Sequence, residues 1–225
     1  MSEKLIPDWA VARGRAMRPP LAVDPRRTAV LVIDMQNFFL HSASALPVQN
    51  VPQLVEAINE VIAAYREAGS PIVWVQHSFA GASLEAAEEG ACDARASLIG
   101  QLLPGNEAFD IDTRMARSAD DHHVVKKTAS AFHPNSGCDL AALLEERDID
   151  TLVITGIVTN GCCETTARDA TQHGYKVLFA SDATGAMSDE EHRAALLNLA
   201  LWFAEVRPAE ELAALAGQSA SAAPA

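Results

Sequence analysis

Three side chains of different chemistry each follow a short apolar run that is typical of a buried strand in a parallel sheet. Asp34 follows TAVLVI, Lys126 follows HHVV, and Cys162 lies just beyond LVIT and a turn rich in Gly, Thr and Asn. The carboxyl ends of parallel strands lie on one edge of a sheet, and chemistry collects there. We therefore expect Asp34, Lys126 and Cys162 to converge in a single crevice.

A carboxylate, a cation and a thiol in one crevice are the groups that a nucleophilic enzyme needs. Cys162 falls in the first turn of a predicted helix, 162–173, where unpaired N–H groups and the helix dipole stabilise a thiolate. A nearby lysine lowers the thiol pKa further, and Asp34 is the group to accept its proton. Backbone N–H groups of the turn before Cys162 are candidates to hold a developing oxyanion.

Each of these residues also has an ordinary structural interpretation. A cysteine at a helix start is usually a packing residue. Asp34 is equally well a turn residue or a helix cap, and a lysine after a strand is ordinarily a solvated flank. These alternatives stay open on spacing alone.

Composition limits the classes of function. The chain has 225 residues, 49% of them apolar, and a formal net charge of −13, which argues against nucleic acid and anionic membranes as partners. No apolar run approaches the roughly 20 residues of a membrane span, and the start, MSEKLIPDWA, lacks the apolar core of a signal peptide. We therefore expect a cytoplasmic protein. Its four cysteines show no CxxC spacing, so neither a disulfide framework nor structural zinc is indicated.

Apolar periodicity predicts strands that alternate with helices, which favours a mainly parallel sheet with helices on both faces. The segment 78–117 is long and weakly periodic, and we expect it to cover a site or a subunit boundary. The predicted strands are 28–33, 71–76, 122–125, 152–155, 176–180 and 204–207, and the predicted helices are 51–68, 139–147, 162–173, 189–203 and 209–215.

The two ends of the chain are predicted to lie outside the single domain that contains the sheet. Residues 1–27 contain four prolines and are interpreted as an irregular N-terminal arm. Residues 28–216 form the single domain, and 217–225 (GQSASAAPA) a disordered tail.

Four segments together resemble the isochorismatase-like cysteine hydrolases: VLVIDMQNFF, VVKKTASAF, VITGIVTNGCCETTARDA and GYKVLFASDATGA, in the family's order over 28–212. The resemblance implies an α/β protein, a Rossmann-like three-layer α/β/α sandwich around a six-stranded, mostly parallel sheet. It also implies a homodimer or homotetramer, and a catalytic triad of Asp34, Lys126 and Cys162.

The same resemblance distinguishes neighbouring residues. The family's lysine stands four residues before the serine of the SAF element, here Ser130, which selects Lys126 over Lys127. The TNxC element selects Cys162 over Cys163, whose side chain points about 100° round a helix from its neighbour.

The family also implies an oxyanion site. By resemblance, the peptide bond between Ile157 and Val158 is cis, and it aims the amides of Val158 and Cys162 at the oxyanion.

The activity implied is hydrolysis of a C–N bond in a small amide, carbamoyl or ureido substrate through a thioester, with release of ammonia or an amine. Two alternatives remain: isochorismatase-type hydrolysis of a vinyl ether, whose enzymes typically lack the cysteine, and a non-catalytic binding module on the same fold. Phe39, His77 and Phe132 are candidates to line the pocket, although each is more often a packing residue.

Nicotinamidases in this family carry a metal site after the second strand. Here that region reads VWVQHSF, with no matching carboxylate, so we expect no metal and no other cofactor. His77 is interpreted as a hydrogen-bonded polar residue at a strand end rather than as a metal ligand.

Overall fold

The computed structural model describes residues 5–41, 47–80 and 101–220, with side chains up to 217. Its centre is a sheet of six strands in the order β3-β2-β1-β4-β5-β6, in which every pairing is parallel. The strands are β1 (Thr28–Ile33), β2 (Ile72–His77), β3 (His122–Lys126), β4 (Thr151–Ile157), β5 (Lys176–Gly185) and β6 (Glu205–Arg207). The predicted α/β fold with a six-stranded sheet is confirmed, and the sheet is parallel throughout.

Helices cover both faces of the sheet. In the described part of the chain they are α1 (Asp8–Met17), α2 (Asn37–Leu40), α3 (Val51–Glu67), α4 (Leu140–Glu145), α5 (Glu164–Gln172), α6 (Asp189–Trp202) and α7 (Ala209–Ala220). One core forms between the sheet, α3 and α7, and the other between the sheet, α4, α5 and α6. Strand β1 serves both, because Val30 and Val32 face the first core and Leu31 and Ile33 the second.

The predicted irregular arm at 1–27 is corrected by the structure, which forms helix α1 there. Pro7 directly precedes the first turn of the helix, where backbone N–H groups have no partner within the helix, so its missing N–H is not destabilising. The prolines therefore mark the ends of the helix and do not prevent it from forming. The helix packs on α6: Arg18 donates hydrogen bonds to the carbonyls of Ala200 and Ala204, at 2.7 and 3.3 Å. The N-terminal segment therefore belongs to the same packed unit as the sheet.

Two other boundaries differ from prediction. The last helix runs to Ala220, into the predicted disordered tail, and 221–225 lie outside the described residues. Half of the predicted covering segment 78–117, residues 81–100, is likewise outside them. Its described remainder contains a single 3-10 turn, Glu107–Phe109, and an antiparallel bridge between Ile111 and Gln36.

None of the described helices has the length and apolarity to cross a membrane.

Gly156 allows β1 and β4 to approach closely at their carboxyl ends. Its φ is +109°, and a Cβ at this position would lie 2.1 Å from the carbonyl oxygen of Ile33. Only glycine combines this backbone conformation with such an approach. The contact sets the end of β1, and therefore Asp34, directly beside the end of β4.

Candidate active site

The structure brings Asp34, Lys126 and Cys162 together at the carboxyl edge of the sheet. Lys126, the last residue of β3, extends its ammonium past the end of β2. Its Nζ lies 2.8 Å from Oδ2 of Asp34 and 3.3 Å from Sγ of Cys162. One cation thus links the carboxylate after β1 to the thiol after β4.

Asp34 is fixed by its backbone and buried by its surroundings. Its φ is +54°, a left-handed conformation that aspartate tolerates better than most residues, and its N–H donates to the carbonyl of Val75 at 2.7 Å. The residue is 1% exposed. Oδ2 accepts from Lys126, whereas Oδ1 is buried without a hydrogen-bond partner in the part of the chain that the structure describes. Asp34 therefore keeps one acceptor oxygen available beside the thiol.

Lys126 is fully buried and has three acceptors for its three N–H groups. The third acceptor is Nδ1 of His77, at 3.1 Å. Burial opposes the charged form of Lys126, but Asp34 and Cys162 outweigh this effect and raise its pKa above the usual value. Lys126 is therefore a cation at neutral pH.

His77 is a neutral partner of this cation. Burial first, and then the positive charge of Lys126, lowers the pKa of the His77 imidazole to about 4. The ring also has a hydrogen bond with the backbone of Thr128. The backbone N–H of His77 donates to Oε1 of Gln36 at 2.8 Å. The interpretation of His77 as a hydrogen-bonded residue at a strand end is confirmed.

Cys162 lies in a π-helical segment, Thr159–Cys163, that precedes α5; the regular helix begins at Glu164 rather than at the predicted residue 162. Burial, and then the carboxylate of Asp34, raises the pKa of the Cys162 thiol to about 12, although Lys126 acts in the opposite direction. The expectation of a lowered thiol pKa is therefore wrong. The cation is present as expected, but desolvation and the adjacent carboxylate outweigh it.

The two neighbours that resemble site residues point elsewhere. Lys127 is exposed. Cys163 is fully buried, with its Sγ 3.9 Å from the carbonyl oxygen of Thr155. Neither one shares the contacts of Lys126 or Cys162.

The turn before Cys162 is folded around the carbonyl of Val158. This oxygen accepts hydrogen bonds from the N–H groups of Gly161, at 3.0 Å, and Cys163, at 3.2 Å. The peptide bond between Ile157 and Val158 is cis in the structure. Val158 and Cys162 thus lie at the two ends of one short turn.

Of the three pocket candidates, His77 alone forms a hydrogen bond with the cluster in the described part of the chain, through Lys126. The ring of Phe132 is buried against His173 and Tyr175, at centroid distances of 5.2 and 5.4 Å, beyond the C-terminal end of α5. Phe39 packs against the core formed with α3. Phe132 is therefore buried, whereas Phe39 is only partly buried.

The cluster has the donor types of a metal site, but Lys126 occupies its centre. Ligand atoms of Asp34, His77 and Cys162 all lie within 4.8 Å of one another. The ammonium of Lys126 contacts each of these residues, so it stands where a cation would bind. The residues as arranged do not fit a metal ion.

Comparison with known proteins identifies the family. The Isochorismatase domain family matches residues 28–211. The chain belongs to the isochorismatase family. It is similar to Nicotinamidase 3 of Arabidopsis thaliana, with 32% identity over 82% of this chain and 86% of the relative. It has the same 32% identity to the ureidoacrylate amidohydrolase RutB of Pseudomonas syringae pv. syringae, over 92% of this chain and 91% of the relative.

A solved structure agrees with this assignment. A cysteine hydrolase from Pseudomonas syringae pv. phaseolicola superposes with a TM-score of 0.80 and 29% identity, over 97% of this chain and 100% of that one. In the present chain, the buried Asp34 and Lys126 together with the partly buried Cys162 are consistent with the catalytic triad of an isochorismatase-family cysteine hydrolase.

Sequence reasoning missed the contacts that two histidines make around the site. His77 is predicted as a pocket or strand-end residue but not as an acceptor for Lys126; the available signal was its position at the end of β2, which lies between β1 and β3 in the sheet. His192 on α6 was not singled out at all. Its ring contacts Thr159 in the turn before Cys162, and nothing in the spacing of α6 indicates that contact.

Proposed function

We propose that this isochorismatase-family hydrolase is a cysteine amidohydrolase that cleaves the C–N bond of a small amide, carbamoyl or ureido substrate. The observation that carries the proposal is the thiol of Cys162 beside a buried carboxylate with a free oxygen and a buried cation. The names of the relatives, a nicotinamidase and ureidoacrylate amidohydrolases, support this bond type.

The resting thiol is protonated, because its pKa is about 12, so attack must be coupled to proton removal. Asp34 takes the proton on its unpartnered Oδ1 as Sγ of Cys162 bonds to the substrate carbonyl carbon. Lys126 stays charged and holds the carboxylate and the sulfur in place through both of its contacts. The developing negative charge on the carbonyl oxygen is received by the amides of Val158 and Cys162.

Collapse of the tetrahedral intermediate completes the first half of the reaction. Asp34 returns its proton to the substrate nitrogen, the C–N bond breaks, and ammonia or an amine leaves a thioester on Cys162. Asp34 then takes a proton from a water molecule that attacks the thioester. This releases the acid, and the proton returns to the sulfur.

Ammonia release from a panel of small amides and ureides tests the proposal. The wild type should release ammonia from at least one compound, and Cys162→Ala should lower the rate by at least about a thousandfold, because the nucleophile is gone. Cys163→Ala is the matched control: its sulfur contacts the carbonyl of Thr155 and makes no hydrogen bond to Asp34 or Lys126, so turnover should stay near wild type. Undiminished turnover in Cys162→Ala contradicts the proposal.

Family resemblance also supports self-association, as a homodimer or homotetramer. Sedimentation velocity of the purified chain should give twice or four times the monomer mass. A monomer at every concentration contradicts this part of the proposal.

A further inference from the structure

The turn that contains the proposed oxyanion donors is anchored from outside by a histidine. Thr159 follows Val158 directly, opens the segment that leads to Cys162, and is fully buried. Its Oγ1 lies 2.8 Å from Nδ1 of His192, which belongs to α6. A side chain of one helix thus reaches the turn between the two donor amides.

The other ring nitrogen of His192 defines its hydrogen-bonding role. Nε2 lies 2.8 Å from the carbonyl oxygen of Ser181 in β5. A carbonyl oxygen can only accept, so Nε2 carries the hydrogen and Nδ1 of the neutral ring is an acceptor. The hydroxyl of Thr159 therefore donates to Nδ1. Burial lowers the pKa of His192, which favours this neutral form at physiological pH.

We infer that His192 is a positioning residue for the oxyanion site: it ties Thr159 to the backbone of β5 at Ser181 and so holds the Val158 and Cys162 amides at the substrate oxygen. The inference rests on the oxyanion role in the proposed function. It adds a residue from α6 that never touches substrate. An oxyanion site acts only when its donors stand within a few tenths of an ångström of the developing charge, so loss of this anchor should affect acyl transfer specifically.

Two reagents separate oxyanion stabilisation from nucleophile reactivity. p-Nitrophenyl acetate acylates a cysteine through a tetrahedral oxyanion, whereas iodoacetamide alkylates it by displacement at a saturated carbon, with no oxyanion. The ratio of the two rates at Cys162, with Cys162→Ala as background, reports on the oxyanion site alone. It needs no knowledge of the natural substrate.

Variants on both sides of the hydrogen bond test the anchor. Glutamine places its amide near the position of Nε2, so His192→Gln can keep the bond to Ser181 while it loses the acceptor for Thr159. Thr159→Val loses the donor and keeps the shape. His192 borders a cavity of about 360 Å³, so a glutamine at this position is not forced into a filled space. Each variant should lower the acylation-to-alkylation ratio by about ten- to a hundredfold, less than removal of a donor itself.

A conservative variant should restore the ratio. Thr159→Ser keeps the hydroxyl that donates to Nδ1 of His192, so it should stay within about threefold of wild type. His173→Gln, at the far end of α5, is the matched histidine control. The double variant of His192→Gln and Thr159→Val should be no worse than either single one, because both remove the same bond.

The outcomes are distinct from those of the amide assay. Acylation and alkylation that fall in parallel in both variants show a merely structural role and overturn the inference, as does an unchanged ratio. A wild type that reacts with iodoacetamide but is never acylated also overturns it, because no oxyanion site then exists. Failure to hydrolyse any amide, with normal acylation by the ester, rejects the proposed substrate class and leaves this inference standing.

Discussion

The reactivity of Cys162 depends on three effects that act on one sulfur. Burial and the charge of Asp34 favour the neutral thiol, while Lys126 favours the thiolate. Because the first two dominate, the sulfur keeps its proton, and the proposed mechanism needs Asp34 as a base at the moment of attack. In that mechanism the same carboxylate suppresses the thiolate in the free protein and enables attack once substrate is bound.

Replacement of Asp34 should separate these two roles. In Asp34→Asn the negative charge is gone, so the Cys162 pKa should fall and alkylation by iodoacetamide at about pH 8 should become faster, by about tenfold for each unit of pKa. Amide hydrolysis should nevertheless be lost, because the asparagine cannot accept the proton. The rate of alkylation against pH, followed by peptide mapping, measures both the shift and its site.

Lys126→Met is the control, because it should shift the Cys162 pKa in the opposite direction. Lys126 lowers the thiol pKa, so its removal should slow alkylation at the same pH. Faster alkylation in Lys126→Met, or no acceleration in Asp34→Asn, would contradict the assignment of these charges.

At the scale of elements, the site exists because β1 and β4 meet closely at their carboxyl ends. Gly156 makes this contact possible, since any side chain there would collide with the backbone of Ile33, one residue before Asp34. The collision involves main-chain atoms, which cannot move aside without separating the strands.

A pair of glycine substitutions tests this element. Gly156→Ala should lower the free energy of unfolding by more than about 3 kcal/mol, because the strands must separate at the core of the sheet. Gly174→Ala is the matched control: its φ of +89° is also positive, but a Cβ there would meet nothing within 4 Å. Gly174→Ala should lower the free energy of unfolding by about 1–2 kcal/mol, which is the strain of the left-handed conformation alone. Urea unfolding measures both values, and equal losses would contradict the close-approach argument.

Much of the secondary structure follows from the sequence, for physical reasons. The central strands β1, β2 and β4 are β-rich apolar runs that two helical layers must bury, and TAVLVI predicts β1 with the observed bounds. Strand β5 continues to Gly185 although its last residues are polar, because pairing with β4 rather than composition sets its end. Helix α1 was missed since its large apolar residues Trp9 and Met17 are exposed and give no clear stripe.

The sequence predicts which residues form the candidate site, but not the protonation state of the Cys162 thiol. Strand ends and family motifs locate Asp34, Lys126 and Cys162. The thiol pKa depends on burial and on the distance to Asp34, and the partnership of His192 with Thr159 depends on how α6 packs. Neither the thiol pKa nor the contact between His192 and Thr159 can be predicted from the spacing of residues along the chain.

At the scale of the whole molecule, the N-terminal segment is part of the folded unit. Gly14 of α1 lies so close to α6 that a Cβ would be 2.1 Å from the carbonyl oxygen of Ala200. Arg18 then supplies donors to two carbonyls at the end of α6, the helix that also carries His192. Docking of α1 thus stabilises an element that contacts the candidate site.

Arg18→Met tests this docking. Loss of the two hydrogen bonds leaves partly buried carbonyls without these donors, so the free energy of unfolding should fall by about 1–3 kcal/mol. Arg13→Met is the matched control, because Arg13 is exposed on α1 over the ring of Trp9. It should change stability by less than about 0.5 kcal/mol. Chemical denaturation measures the difference, and an Arg18→Met protein as stable as wild type would contradict the role of Arg18 in docking α1.

The central claim is that Cys162 carries the acyl group during turnover, and mass mapping of the quenched enzyme tests it most directly. Wild-type enzyme is mixed with a turned-over amide or ureide, quenched in acid within milliseconds and digested. The account predicts the acyl mass on Cys162, absent from Cys162→Ala and retained in Cys163→Ala. An acyl group on Cys163 or on another residue, or continued turnover by Cys162→Ala, would contradict it.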